Sequence, residues 1–315
     1  MPELPEVQTT VNGLQDHIVG LTIVDVWSDY NSPYFKGSET IKDRSYFNVV
    51  KKDLVGQHIV AVTRRAKNIL IHVNKAGVPD STEQILLVHM KMTGHLLYGT
   101  YHFDNTKKKD PWQPLAPESL KDPFNRHVHF MLSFSNKKNL ALSDVRKFAK
   151  VALVNAATAH DSSHLHGIGP EPLEKAFTLE AFAQRVGMRP QGKIKQVLID
   201  QSIVAGIGNI YADESLWRAG IHPLQRVASI DAATLKILFT AIKKTLARGI
   251  DFGGDSTSDY RNVLGEKGKF HERHRAYQRT EETCSKKGCG GTIRRIVVDG
   301  RGTHYCDAHQ KVTKM

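Results

Sequence analysis

The chain opens Met1-Pro2-Glu3-Leu4-Pro5-Glu6, a stretch whose residue types allow covalent chemistry. Initiator methionine is usually removed before a small residue, which leaves the secondary amine of Pro2 as the N-terminus. An α-amine titrates near ~7.7–8.0, roughly two to three units below lysine, so part of it is unprotonated at neutral pH and nucleophilic. Attack on a sugar C1′ carbon would give an iminium ion, a Schiff base that already carries its positive charge and eases β-elimination of attached phosphates. Glu3, next to the amine, can act as general acid and base for the ring oxygen and the departing groups. The same hexapeptide can also be nothing more than a helix start, since proline suits a first turn and Glu6 favours the positive helix end.

A second constellation lies in the last tenth of the chain, where Cys284, Cys289 and Cys306 are followed by His309 in the pattern C-x4-C-x16-C-x2-H. An odd number of cysteines argues against a disulfide framework. Three thiolates and one imidazole are a sufficient set for one tetrahedral structural zinc ion. Between the two halves, Gly290-Gly291 forms a knuckle turn, Thr292 to Val298 alternates as a strand, and Asp299-Gly300 is a hairpin signal. Arg301, just past that turn, would sit near the hairpin tip and could grip phosphates.

These groups need elements to hold them. Val7, Val11, Leu14 and Ile18 share one helical face, with Gly20 as the residue that ends the helix. Short β-like runs follow at 21–27, 58–63, 69–73, 84–90, 127–134, 140–144 and 150–154, which suggests an antiparallel sandwich. His102 to Asn125, with Lys107-Lys108-Lys109 and four prolines, reads as a long surface loop. The composition turns small and polar from Ala156 to His166, as in a linker. Helical patterns then dominate: Thr178 caps 179–186, a short helix covers 193–201, and a third runs from Asn209, at its cap, to Ala219. A fourth is capped by Asp231 and stopped by Gly249. The glycine turn Gly206-Ile207-Gly208 joins two of these helices, and the N-terminus at Asn209 could hold a phosphate.

The expected fold is therefore α+β. An N-terminal β-sandwich domain with its leading helix spans 1–155 and a linker 156–176. A helical domain spans 177–279, and a zinc-held β-hairpin 280–315. A length of 315 residues accommodates such a division, and a formal net charge of +12 favours a polyanionic partner such as nucleic acid. No apolar stretch approaches the roughly 18 residues a bilayer requires, and the acidic N-terminus is unlike a secretory signal, so the protein reads as intracellular.

Several of these segments, taken in order, resemble bacterial formamidopyrimidine-DNA glycosylase. They are Pro2-Glu3-Leu4-Pro5-Glu6, Arg64-Arg65-Ala66-Lys67, Met90-Lys91-Met92-Thr93-Gly94, Asp144-Val145-Arg146-Lys147-Phe148, Gly169-Pro170-Glu171-Pro172-Leu173, the run from Gly206 to Ser215, Ala219-Gly220-Ile221-His222-Pro223 and the terminal finger. The resemblance implies a bifunctional enzyme of base excision repair with a helix-two-turn-helix domain. Such an enzyme excises 8-oxoguanine and formamidopyrimidines from double-stranded DNA, then cuts the abasic site by β,δ-elimination. By similarity Pro2 is the nucleophile, Glu3 the proton-transfer partner, and Lys67 and Arg301 complete the catalytic set. His89 and Asn209 match phosphate ligands. Met92, Arg146 and Phe148 match a trio that fills the space left by an everted base, with Lys147 beside them on the DNA. The segment Arg261 to Phe270 sits where the family has a mobile loop over that base. A monomer working on DNA in the bacterial cytosol, near the nucleoid, is implied.

The sequence departs from the family in four places. The finger has two extra residues in its first knuckle and His309 for the last cysteine. Lys147 stands for a second arginine, keeping charge without the bidentate fork. Ala149 stands for glycine, and the loop from His102 is longer. An endonuclease VIII-like preference for oxidised pyrimidines is disfavoured by Leu4, where that branch has glycine, and by the Arg146/Phe148 pair. Intact Pro2, Glu3 and Lys67 argue against a noncatalytic binder of damaged DNA.

Overall fold

The structure, a computed structural model, describes residues 1–75 and 83–312. They fall into two compact units, Met1–His166 with Gly253–Lys269, and Gly167–Phe252 with Phe270–Met315. The segment 253–269, grouped with the helical domain in the sequence reading, thus packs with the strand-rich unit. Among the described residues no helix is long and apolar enough to cross a membrane.

The first unit starts with helix α1 (Leu4–Ile18), whose Val7, Val11, Leu14 and Ile18 are buried as the periodicity requires. Val19 is its C-cap, and Gly20 follows at φ +83°, where a left-handed residue ends the helix. Strand β1 (Ile23–Ser28) and helix α2 (Arg44–Leu54) come next. Then come β2 (His58–Arg65), β3 (Asn68–Asn74), β4 (Gln84–His89), β5 (His95–Phe103), β6 (Trp112–Ala116), β7 (Val128–Phe134), β8 (Asn139–Ser143) and β9 (Lys150–Asn155). One sheet has the order β1-β7-β8-β5-β6 and the other β2-β3-β4-β9, antiparallel in every pairing. Val26, Phe130 and Leu132 of the first sheet and Val62, Ile71 and Leu86 of the second meet the apolar face of α1 in one continuous core. The β-sandwich is thus closed by the helix that carries the N-terminal motif.

Three elements lie outside the sequence reading. Helix α2 is announced only by Asp43, whose Oδ1 accepts from Ser45 N at 2.7 Å and Tyr46 N at 3.0 Å. Strand β5 is buried on both faces over its first five residues, so it shows no alternation. Strand β6 lies inside the stretch taken as a loop; it is an edge strand, and that is how it accommodates Pro114 opposite Tyr101. The rest of that stretch includes single 3₁₀ turns at Glu118–Lys121 and Pro123–Asn125.

The second unit contains α3 (Leu179–Gly187), α4 (Ile194–Ile199), α5 (Asn209–Ala219), α6 (Ala232–Asp251) and a hairpin of β10 (Ile293–Val298) and β11 (Arg301–Cys306). Thr178 and Asp231 cap α3 and α6 through bonds from Ala181 N and Thr234 N. Helix α6 does not stop at Gly249: that glycine is buried on the helix's apolar face, and the chain turns only at Gly253, φ +72°. The N-cap of α5 is Gly208, one residue before the expected Asn209.

Candidate active site and nucleic-acid interface

Pro2 and Glu3 are buried at the start of α1. Glu3 and Glu6 form a reciprocal capping box, in which Glu6 Oε2 accepts from Glu3 N at 2.7 Å. The other oxygen of Glu6 accepts from Asp255 N at 2.7 Å, and Tyr260 Oη donates to the Glu6 carbonyl at 3.1 Å. Both Glu6 oxygens are thus committed to backbone amides, and the backbone beside Pro2 is fixed from two sides. Lys67 is buried in the two-residue turn between β2 and β3, next to Ala66 at φ +54°. Arg64 steadies this turn: its Nη1 donates to Ala66 O at 3.0 Å and its Nε to Gln8 Oε1 of α1 at 2.8 Å. The hairpin turn carrying Lys67 is thereby tied to the helix carrying Pro2.

His89 ends β4, in register with Asn68 and Lys150. Burial, and then the charges of Lys91, Lys67 and Lys150, push its imidazole down to about 3, so it is neutral. Its Nδ1 accepts from Lys91 N at 3.0 Å, which leaves the proton on Nε2 as a donor. A neutral donor inside a ring of lysines is chemistry suited to a phosphate oxygen. Lys91 and Lys150 are members of this group that the sequence reading did not single out; register with His89 was the signal for Lys150.

Two loops of the first unit share one anchor. Asp144 is fully buried, and Oδ1 accepts from the Thr93 hydroxyl and from Arg146 N at 3.3 Å. Its Oδ2 accepts from the Tyr30 hydroxyl at 3.0 Å and from Ala149 N at 2.8 Å. One carboxylate thus fixes the loop of Met92 and the loop of Arg146, Lys147 and Phe148. The side chains themselves project outward: Met92 is 41% exposed, Val145 52% and Phe148 46%. Arg146 lies over the Phe148 ring at 4.4 Å. These apolar side chains, held out into water by a buried polar anchor, are an exposed apolar patch rather than core residues. Lys147 adopts φ +53°; its carbonyl accepts from Lys42 Nζ at 2.7 Å, and its own Nζ faces Asp29 Oδ2 at 3.3 Å.

In the second unit, Asn209 and Arg301 come together. Asn209 Nδ2 donates to Gly302 O at 2.9 Å, next to the exposed Arg301. The turn before Asn209 is braced by Gln201, which accepts from Gly206 N at 2.9 Å and donates to Ile207 O at 2.7 Å. Beneath it, the fully buried Lys195 pairs with Asp213 and donates to Asn209 O at 3.1 Å. Asp213 Oδ2 also accepts from His304 N at 2.9 Å, joining α4, α5 and the hairpin. Asp299 and Gly300, φ +50° and +70°, make the two-residue turn expected of an Asp-Gly pair, with Val298 opposite Arg301.

Cys284, Cys289, Cys306 and His309 gather so that their ligand atoms all lie within 4.8 Å of one another. Cys289 Sγ is 3.5 Å from Cys306 Sγ and 3.3 Å from His309 Nδ1, close to the edge of about 3.8 Å that a tetrahedron with ~2.3 Å zinc–sulfur bonds requires. His309 Nε2 lies 3.0 Å from Trp217 O, a contact that places the proton there and turns Nδ1 toward the thiols. This group could hold a metal ion. The lengthened first knuckle and His309 are both accommodated.

The comparisons with known proteins agree with this arrangement. Residues 1–151 match the family described as Formamidopyrimidine-DNA glycosylase N-terminal domain, and residues 168–261 the Formamidopyrimidine-DNA glycosylase H2TH domain. The chain is 36% identical over 310 residues to the formamidopyrimidine-DNA glycosylase of Herpetosiphon aurantiacus, covering 98% of this chain and 100% of that one. The chain belongs to the formamidopyrimidine-DNA glycosylase family. The relative from Brevibacillus brevis is 35% identical, over 99% of both chains. Among solved structures, Lactococcus lactis Fpg in complex with DNA containing an abasic site is 30% identical with a TM-score of 0.79, covering 98% of this chain and 99% of that one. MutM in complex with DNA containing carbocyclic 8-oxo-G is 31% identical with a TM-score of 0.78, covering 98% and 100%. Formamidopyrimidine-DNA glycosylases are DNA glycosylases of base excision repair.

Proposed function

We propose that the chain excises oxidised purines, chiefly 8-oxoguanine and formamidopyrimidines, from double-stranded DNA and cuts the strand at the abasic site, using Pro2 as nucleophile. The observation that carries the proposal is the start of α1, where a proline amine and Glu3 lie buried together while Glu6 binds the amides of Glu3 and Asp255. After loss of Met1, the Pro2 nitrogen attacks C1′; the glycosidic bond breaks and the base leaves with a proton. Glu3 protonates the ring oxygen, the sugar opens, and the Pro2–C1′ iminium forms. Removal of a C2′ proton expels the 3′ phosphate, and a second elimination expels the 5′ phosphate, leaving a one-nucleotide gap. Water hydrolyses the imine and restores the amine.

Lys67 contacts the DNA beside the lesion, while His89, Asn209 and Arg301 hold phosphates. Met92, Arg146 and Phe148 fill the duplex after eversion: Met92 as adaptable bulk, Phe148 as a wedge and Arg146 as a donor to the orphaned base, with Lys147 nearby. Cys284, Cys289, Cys306 and His309 hold one structural zinc ion, which supplies folding energy to the hairpin carrying Arg301. The enzyme acts as a monomer on chromosomal DNA in the cytosol. Single-turnover excision by Glu3→Gln tests the assignment: base release should stop while the lesion duplex still binds. Normal release by that variant would overturn the role of Glu3.

A further inference from the structure

The proposed chemistry leaves residues 112–125 without a task, yet they are bonded to the segment Gly253–Lys269. The centre of the contact is Arg261, at 1% exposure one of the largest fully buried side chains among the described residues. Its Nε and Nη2 donate to Asp122 Oδ2 at 3.2 and 3.1 Å, its Nη1 to the carbonyls of Ser258 and Tyr260 at 3.1 and 2.9 Å, and its guanidinium lies 4.8 Å from the Phe124 ring centroid. A guanidinium this deeply buried is tolerated only when well partnered, so removing the Asp122 carboxylate would weaken the contact. Around it, Ser119 Oγ donates to Leu264 O at 2.5 Å, and Tyr98 N donates to Val263 O at 2.6 Å. Gly265, φ +84°, sits so close that a Cβ would lie 2.8 Å from Ser119 O.

The same segment reaches the amine end of α1. Tyr260, whose carbonyl Arg261 grips, donates its hydroxyl proton to Glu6 O at 3.1 Å. Asp255 N donates to Glu6 Oε1 at 2.7 Å, and Glu6 Oε2 accepts from Glu3 N at 2.7 Å. Gly254, φ +84°, lets the chain pass so near that a Cβ would lie 3.0 Å from Glu6 Cγ. Every step from Asp122 to the backbone of Glu3 is therefore a packed or hydrogen-bonded contact within one unit.

We propose that the Asp122–Arg261 ion pair is a positioning element for the Pro2 nucleophile. The pair fixes the segment 253–269; that segment holds Glu6 through Asp255 and Tyr260, and Glu6 holds the backbone next to the amine. The inference rests on the reading of Pro2 as nucleophile. Both residues act through others, and neither touches the reacting atoms.

The test compares full-length wild type with Arg261→Met, Arg261→Lys and Asp122→Asn on an abasic-site duplex, reading borohydride-trapped Pro2 adduct under single-turnover conditions alongside duplex Kd. Loss of the pair should slow trapping about 10- to 100-fold, the scale of an ångström-sized misplacement, with Kd changed by less than about threefold. Arg261→Lys, which keeps the charge but loses the fork, should recover part of the rate, and amide exchange should rise in the peptide containing Asp255 in step with the rate loss. Wild-type trapping rates in folded Arg261→Met and Asp122→Asn would overturn the proposal. So would equal losses of rate and affinity, or no recovery with lysine. Should Arg261→Met fail to fold, Asp122→Asn, whose partner keeps two carbonyl acceptors, decides by the same outcomes. A wild type that forms no Pro2 adduct would instead remove the nucleophile reading itself.

Discussion

Asp144→Asn isolates the polar anchor of the two outward-facing loops, because it keeps the shape and removes one acceptor and the charge. Each carboxylate oxygen of Asp144 serves one hydroxyl and one backbone amide. The amide group must therefore turn its NH2 toward one backbone N–H. The less costly orientation faces Thr93 and Arg146, because Arg146 N is the more distant donor at 3.3 Å and has the Thr93 hydroxyl oxygen at 3.3 Å as a second acceptor. One charge-assisted bond is then lost and the pair on Oδ2 falls to neutral strength. At ~1.5–3 kcal/mol for a charged bond against ~0.5–1.5 for a neutral one, the lost bond and the two weakened ones should make the variant less stable by about 5 kcal/mol. Equilibrium urea unfolding reads this directly. The loops carrying Met92 and Phe148 should also loosen, and a loss of ~1.4 kcal/mol in insertion would slow 8-oxoguanine release about tenfold. Cutting of a preformed abasic site, with no base to displace, should slow less. Stability within about 0.5 kcal/mol of wild type would refute the assignment of Asp144 as anchor, since surface substitutions stay within that range.

Four further outcomes follow from the geometry. Because His89 is neutral and Arg301 is charged, Arg301→Ala should lower the slope of log Kd against log salt by about 0.9, while His89→Ala should weaken binding without changing the slope; salt titrations by fluorescence anisotropy check both. The imidazole of His89 is depressed from 6.5 to about 3, so its folded form refuses a proton that the unfolded chain accepts. Its contribution to stability is complete above pH 6.5 and is lost as pH falls toward about 3, and His89→Gln should flatten the pH–stability curve in that window. Lys195→Met leaves Asp213 buried without its cation and should cost about 3–5 kcal/mol by thermal or urea unfolding. Metal analysis should find one zinc ion per chain, and chelation should weaken duplex binding; active protein free of zinc would remove the ion from the account.

The parts of the molecule that the sequence disclosed are those where one local rule dominates. Helix α1 follows from four apolar residues at helical spacing and a glycine stop, and the finger turn from Asp299-Gly300. Helix α2 was hidden because Tyr46, Phe47, Val49 and Val50 dilute helical propensity and only Val50 and Leu54 are buried. The end of α6 was misplaced because a glycine inside a helix is tolerated where it packs, and Gly249 packs. Site residues stood out when chemistry itself was rare, as with Pro2-Glu3 and the cysteine cluster. Asp122, Arg261 and Asp255 could not be read, because their meaning lies in contacts between segments more than a hundred residues apart. Lys150 acquires meaning only from the strand register that sets it opposite His89, and Lys91 from the turn whose amide bonds the His89 ring.

The central claim is a covalent step at the N-terminal proline. The protein should be incubated with an 8-oxoguanine:cytosine duplex and borohydride, and the adduct mapped by peptide mass. One DNA adduct is expected, on a peptide beginning at Pro2 with Met1 removed. A duplex that binds and is cut with no adduct at Pro2, or with the adduct on Lys67, would contradict it.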